Sequence, residues 1–433
     1  MIITNFGSAG DVQPYLALIM ELRRQGHEVA FAFSPHFAPM IERHGVEFIS
    51  VGPDFQQTQH DIITTAVNNP QIADSANQIY SLFAPLVAAL PQMFEELSAA
   101  CRKADVLISG PLQPASRMIH ELTGIPFVSI QEAHFGGGGT HAYQQATRSL
   151  INPFREKHGL PPLQHPLTHD ANSPQLSLYA ISRYVLPQPP DWPQHYHMVG
   201  YFFFDDGSFR PDPALAQFVE AGELPVVVSF GSMVHEDPEA ITDLLVAALR
   251  RVGRRAIIQQ GWSGLATREL PSSIHAAGFV PHNYLFSHAA CIVHHGGGGT
   301  AAAAFRAGVP SIFVPHAADQ PMWAQLVHEM GCSVPPIPFL ELTADRLADA
   351  IVTTLTTPHY AQAVAALGQK IRAEQGVKRA RQLIEQLLSN LGLDNRSAET
   401  TESDSDEAAG RSQKIDRRKR FQHQQRSRKR EHP

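Results

Sequence analysis

A chain of 433 residues, 43% of them hydrophobic, has enough apolar material for two cores of ordinary domain size. Its three cysteines, Cys101, Cys291 and Cys332, lie far apart with no CxxC spacing. That excludes a disulfide framework or a zinc-type structural site and suits a reducing compartment, with the cytoplasm as the expected location. The net charge of −7 is unevenly spread: residues Asp394 to Pro433 hold 11 of the 34 Lys and Arg and 8 of the 41 Asp and Glu. The body before them therefore carries 23 basic against 33 acidic residues, a net −10, and is no nucleic-acid surface.

The opening MIITNFG is too short an apolar run for a signal peptide, and no later stretch reaches the ~20 apolar residues of a membrane span, so a soluble protein is expected. Short apolar runs then alternate with amphipathic stretches, the pattern of βα units around a parallel sheet. Tyr15 to Gly26 is predicted as a helix closed by glycine, with strands at Val29 to Phe33, Asp105 to Ser109 and Pro126 to Ile130. The stretch LPQPPDWPQHYHMVGYFFFDD, too rich in proline for a helix, is predicted as a linker. Strands resume at PVVVSFGS, AIIQQ, HAAGFV, CIVHH and SIFVP, with a helix over about Pro238 to Val252 and a closing helical stretch over about Ala361 to Leu391. The expected division is 1–205, 206–393 and a tail 394–433. The tail runs from acidic (AETTESDSDEAA) to basic (RRKRFQHQQRSRKR) and is expected to be disordered, either a solvated extension or a segment that touches RNA or an anionic membrane surface.

Two strand-to-helix turns carry the chemistry. HHGGGGT, His294 to Thr300, places four glycines between a strand and an alanine-rich helix, where unpaired N–H groups and the positive helix end suit a phosphate, although a plain flexible loop would look the same. Thr300 and a histidine add donors. No GxxxxGK[ST] is present, and the first βα turn, GSAGDVQP (Gly7 to Pro14), lacks the third glycine of a dinucleotide fingerprint. That turn carries Asp11, which could be a helix N-cap or could face a ligand in a cleft. Asp319 and Gln320, in HAADQPMWA, have the acceptors and amide donor to hold sugar hydroxyls. His294, His295, His316 and Asp319 show no metal-ligand spacing, and no metal is expected.

In this order the pieces resemble the UDP-glycosyltransferase family, whose GT-B fold sets two Rossmann-like α/β domains face to face. GSAGDVQP resembles its first-turn motif, VVVSFGSM the first strand of the nucleotide domain, GFVPHNYLF the uracil-side loop, and HHGGGGT with GVPSIFVPHAADQP the donor signature. GYFFFDD, VPHNYLF and DQPMWA are most similar to the sterol and lipid glucosyltransferase branch and related bacterial enzymes; Ala9 stands where that branch commonly has arginine.

The resemblance implies that His295, Gly298, Gly299 and Thr300, with Ser232, contact the diphosphate. It implies that Phe279 and the Val280 backbone address uracil and that Asp319 and Gln320 hold the hexose. Asp11 would be the general base of an inverting transfer from a UDP-sugar to a hydroxyl on a hydrophobic acceptor such as a sterol, with no cofactor and no obligate protein partner. The acceptor pocket is expected around Phe55, Tyr80, Phe83, Leu86 and Phe94 and near His134, although helix packing would explain most of these side chains. Rival readings are a UDP-N-acetylglucosamine 2-epimerase, a lipid-intermediate N-acetylglucosaminyltransferase, or a non-catalytic UDP-sugar-binding protein.

Overall fold

The computed structural model describes residues 1–54, 83–110, 112–132 and 141–393. Phe55, Tyr80, His134 and the charged tail lie outside the described residues.

Among the described residues, β1 (Ile2–Thr4), β2 (Ala30–Phe33), β3 (Glu47–Ser50), β4 (Leu107–Ser109), β5 (Phe127–Gln131), β6 (Leu176–Tyr179) and β7 (Tyr196–Met198) form one parallel sheet, in the order β3-β2-β1-β4-β5-β6-β7. A second parallel sheet joins β8 (Val226–Ser229), β9 (Ala256–Gln259), β10 (Ile274–Ala277), β11 (Cys291–His294) and β12 (Ser311–Phe313), in the order β10-β9-β8-β11-β12. Strands covered by helices on both faces read as unbroken apolar runs, and every residue of β8, β9 and β11 is buried. In each sheet the strand order reverses beside the first strand, at β1/β4 and at β8/β11. Such a reversal opens a crevice at the carboxyl ends of the strands, and both glycine-bearing turns leave from there.

Three expectations change. The proline-rich stretch is more than a linker, because its Tyr196–Met198 adds β7 to the first sheet before the chain crosses over at Gly200 to Asp206. The first helix begins at Ala9, six residues earlier than Tyr15, because Ser8 caps it. The closing helical stretch is two helices, Pro358–Ala373 and Gly376–Asn390, separated by extended backbone at Glu374.

The last of these helices leaves the second sheet. Ala380, Ile384 and Leu388, four residues apart on one face, join the core beneath the Ala9–Arg24 helix with Leu16 and Ile19. Burying an Ile or Leu side chain contributes about 1.5–3 kcal/mol. Arg381 bridges Glu21 at 3.0 Å and also pairs with Glu385, whose other oxygen lies 3.1 Å from His27 Nε2. The turn into this helix crosses the outgoing linker closely: a Cβ on Gly376 would stand 2.5 Å from the carbonyl oxygens of both Gly200 and Tyr201. Gly376→Ala should therefore lower stability by about 1–3 kcal/mol, since the obstacle is backbone. An unchanged urea midpoint would show that the two crossings can separate freely.

The described residues expected in the acceptor pocket, Phe83, Leu86 and Phe94, are packed. Leu86 is buried, Phe83 meets Tyr143 edge-on at 5.9 Å, and Phe94 meets Phe154 at 5.7 Å within the core on the other face of the first sheet.

Candidate active site

The first wall of the crevice follows β1. Ser8 is the N-cap and Asp11 the third helical residue, so Asp11 is not itself the cap. The Ser8 N–H and hydroxyl both donate to Asp11 Oδ2, at 2.7 and 3.0 Å, while Ser8 Oγ accepts from Gly10 N at 3.2 Å. This reciprocal cap fixes the carboxylate over the helix start. Burial raises the Asp11 carboxyl to about 6; the two bonds from Ser8 oppose the rise, and the negative charge of Asp319 across the crevice adds to it.

The opposite wall follows β11 and β12. The helix after the glycine run spans Gly298–Ala307, with Gly297 as N-cap and no side-chain cap, so its first-turn N–H groups are left for a ligand. Two of the four glycines, Gly296 and Gly297, are held to glycine by their neighbours. The His295 ring is wedged between Gly231 and Gly297: added Cβ atoms there would stand 3.1 Å from its Cε1 and 2.5 Å from its Nε2. Gly296 is confined by Phe313. Gly299 has open space where a Cβ would go, and a Cβ on Gly298 would stand 3.4 Å from Trp323 Nε1 in the same half and 3.7 Å from the Glu132 carbonyl oxygen in the other. Thr300 is buried behind them and Ser232 is partly buried after β8. Burial moves the His295 pKa down to about 4 and holds the ring neutral, a bond to the Ser229 backbone opposing the shift, and its buried Nδ1 has no hydrogen-bond partner among the described residues.

Asp319 Oδ2 accepts from Trp323 Nε1 at 2.8 Å, and burial pushes its carboxyl upward. Gln320 is occupied internally. Its Oε1 accepts from the His316 and Ala317 N–H groups at 2.8 and 3.2 Å, and its Nε2 points at Met233 Sδ. Val280 is buried and its carbonyl accepts from Gln259 Nε2 at 2.9 Å, whereas Phe279 is 62% exposed. His294, His295, His316 and Asp319 do not assemble with other His, Cys, Asp or Glu into a metal-binding group among the described residues.

Comparison with known proteins shows the family. Residues 1–132 match the glycosyltransferase family 28 N-terminal domain, and residues 243–386 match the erythromycin biosynthesis protein CIII-like C-terminal domain. The O-mycaminosyltylonolide 6-deoxyallosyltransferase of Streptomyces fradiae is 32% identical over 89% of this chain and 96% of its own length. This chain is a GT-B glycosyltransferase of that family. A sterol 3-beta-glucosyltransferase of Pichia angusta is 30% identical over 87% of the chain, which spans only 33% of that larger protein. Among solved structures, the kitacinnamycin glycosyltransferase covers 89% of the chain at a TM-score of 0.67 and 23% identity, and VinC, solved with dTDP, covers 90% at 0.67 and 21%. At that identity the likeness shows the fold.

The glycosyltransferase also holds polar groups that sequence reasoning missed. In the second half, His316 Nδ1 donates to Val314 O at 2.7 Å, which leaves its Nε2 to accept from His235 Nε2 at 3.0 Å; His235 Nδ1 then accepts from Ser263 Oγ at 2.6 Å. This chain of bonds has one proton per link and assigns both tautomers. Burial keeps both rings neutral, with His235 moved down to about 4. In the other half, Glu132 lies near enough to Asp11 for their charges to interact, with its Oε2 3.5 Å from Asn5 Nδ2. A lone glutamate after a strand has no periodicity to announce it.

Among the described residues, no helix of the glycosyltransferase is long and apolar enough to cross a membrane.

Proposed function

We propose that the glycosyltransferase moves a hexose from a nucleoside diphosphate sugar to a hydroxyl of a hydrophobic acceptor, with inversion at the anomeric carbon and Asp11 as general base. The observation that carries this reading is the pairing across one crevice: a carboxylate raised to about 6 on one wall, and an uncapped helix N-terminus beside a neutral histidine on the other. Asp11 takes the acceptor proton as the new C–O bond forms, while the bond to the diphosphate breaks on the opposite face. His295, Thr300, Ser232 and the N–H groups of Gly298 and Gly299 receive the charge that develops on the leaving diphosphate. Phe279 and the Val280 backbone border the nucleobase, and Asp319 faces the sugar with Gln320 shaping the loop behind it.

UDP-glucose and a sterol are the first pairing to test, on the resemblance of GYFFFDD and DQPMWA to sterol glucosyltransferases and on relatives of that name. A dTDP-deoxyhexose and a macrolide are the second, and a specific observation favours them. The Gln320 amide is already engaged inside the protein, so the pocket offers the sugar fewer polar partners than the motif alone implies, which suits a sugar with fewer hydroxyls. The S. fradiae relative is named for a 6-deoxyallosyl transfer.

The test is nucleoside diphosphate release from UDP-glucose and from a dTDP-6-deoxyhexose, each with sterol and macrolide acceptors. Acceptor-dependent release from one donor at least tenfold above the other, about 1.4 kcal/mol in kcat/KM, would identify the pairing. Tight binding of either nucleoside diphosphate without release from any pair would sink the transferase reading for this chain and leave a binding protein.

A further inference from the structure

Glu132 follows β5 and reaches the base side of the crevice. Its Oε2 lies 3.5 Å from Asn5 Nδ2, and its Oε1 is buried with no hydrogen-bond partner among the described residues. Its main-chain carbonyl faces Gly298, the first residue of the donor helix. The titratable groups facing it are Asp11 and Tyr15, both on the Ala9–Arg24 helix, the phenol of Tyr15 being bonded to Ile130 O at 3.4 Å. Asn5 approaches from the β1 turn and Gly298 from the donor side, neither with a charge.

Among the described residues, no ion pair holds Asp11, Glu132 or Asp319. Two neighbouring acids without a counter-ion do not both ionise cheaply, and a diphosphate donor would add further negative charge to the same space. One acid must be the base, and Asp11, with two bonds from Ser8, is the one stabilised as an anion.

We propose that Glu132 is a positioning residue for Asp11, carrying its own carboxyl proton through the catalytic cycle so that one ionised base and an anionic donor can share the crevice. The proposal rests on the assignment of Asp11 as base. Burial, and then the charge of Asp11, push the Glu132 carboxyl well above the usual range, which separates the two acids by role. Above its ionisation, Glu132 becomes a second negative charge beside Asp11 and weakens donor binding.

The test compares Glu132→Gln with Glu132→Ala in the full chain. Glutamine keeps the shape and the neutral form, so it should restore most of the kcat/KM that alanine loses and move the alkaline limb of the profile upward by at least a pH unit, chiefly through donor KM. A glutamine variant as inactive as the alanine one, or one with the alkaline limb in its original place, overturns the proposal. A binding arm does not depend on transfer. Titrating UDP and dTDP between pH 7 and 10 should show affinity falling roughly tenfold more steeply in wild type than in Glu132→Gln. Equal slopes overturn the proposal even if Asp11 is the base. Should Glu132→Gln fail to fold, carboxyl 13C NMR of glutamate-labelled Glu374→Gln protein serves instead, because Glu374 is the other described glutamate pushed upward. One glutamate still protonated at pH 7 supports the proposal, and none refutes it.

Discussion

Asp11→Asn should reduce acceptor-dependent turnover by on the order of 10²–10⁴-fold, the usual range for losing a general base, while UDP or dTDP binding stays within a few-fold of wild type. Asparagine is the informative replacement because its side-chain oxygen can still accept from Ser8, as Asp11 Oδ2 does, so the cap survives. Alanine would remove the base and the cap together. In wild type, the acid limb of kcat/KM should fall with an apparent midpoint near 6, the value to which burial and Asp319 raise Asp11. The variant's residual activity should lack that limb.

The same shift makes a stability prediction that separates a base from a structural carboxylate. Asp11 is raised from 3.8 to about 6, so holding it ionised at pH 7 costs the fold up to about 3 kcal/mol. Asp11→Asn removes that cost, and its Tm at pH 7 should equal or exceed that of wild type. A variant that loses both turnover and Tm would mean that Asp11 serves the helix start, and the base would have to be sought elsewhere. A group kept charged at the expense of stability is the pattern expected where function has set the environment.

How much of this was legible depends on how local each signal is. β8, β9 and β11 were legible because strands buried on both faces are continuous apolar runs, and VVVS, AIIQ and CIVH are such runs. β6 was not, because LSLY is interrupted by Ser177, whose hydroxyl meets Ser129 Oγ at 2.8 Å across the sheet and is satisfied only in the folded state. β7 was hidden in a stretch whose prolines argue against any element. The break between the two closing helices has no proline to mark it, and it depends on Gly376 meeting the Gly200–Tyr201 backbone nearly 180 residues earlier in the chain. The site shows the same division. The glycine run, Asp11 and Asp319 could be found because each sits at a strand-to-helix turn. The internal engagement of Gln320 could not, since it follows from how the loop folds over Met233 and His316. Glu132 comes to Asp11 only because the sheet order sets β4 between β1 and β5.

Acidification from pH 7 to 5 should unfold the second half first, with a fall in Tm on the order of 10 °C. His235, His294, His295 and His316 are all buried there, and burial holds each of them neutral: His235 and His295 move from 6.5 to about 4, and His294 and His316 go well below 6.5. A histidine whose folded value is lowered takes up its proton more readily in the unfolded chain. Stability is therefore fully present above 6.5 and declines as pH falls toward 4, where the loss levels off. At pH 5, His235 and His295 would each cost about 2 kcal/mol. Raised carboxyls act in the opposite sense, since they bind protons more tightly in the folded state; Asp11 returns about 1 kcal/mol at pH 5, and Glu132 adds to it. Those two belong to the first sheet, so the compensation falls mainly on the other half of the molecule. Among the described residues, Asp319 and Glu374 offset part of it within the second half. The His235–His316 pair gives the prediction a structural form, because the bonds from Ser263 through to Val314 have no vacant acceptor for an added proton. Trp323, buried against Asp319, reports the event by fluorescence in a Trp192→Phe, Trp262→Phe background, where its emission should shift to the red at the transition. A Tm constant between pH 7 and 5, with unchanged Trp323 emission, would mean that these histidines are hydrated in solution and that the buried chain of bonds does not persist there.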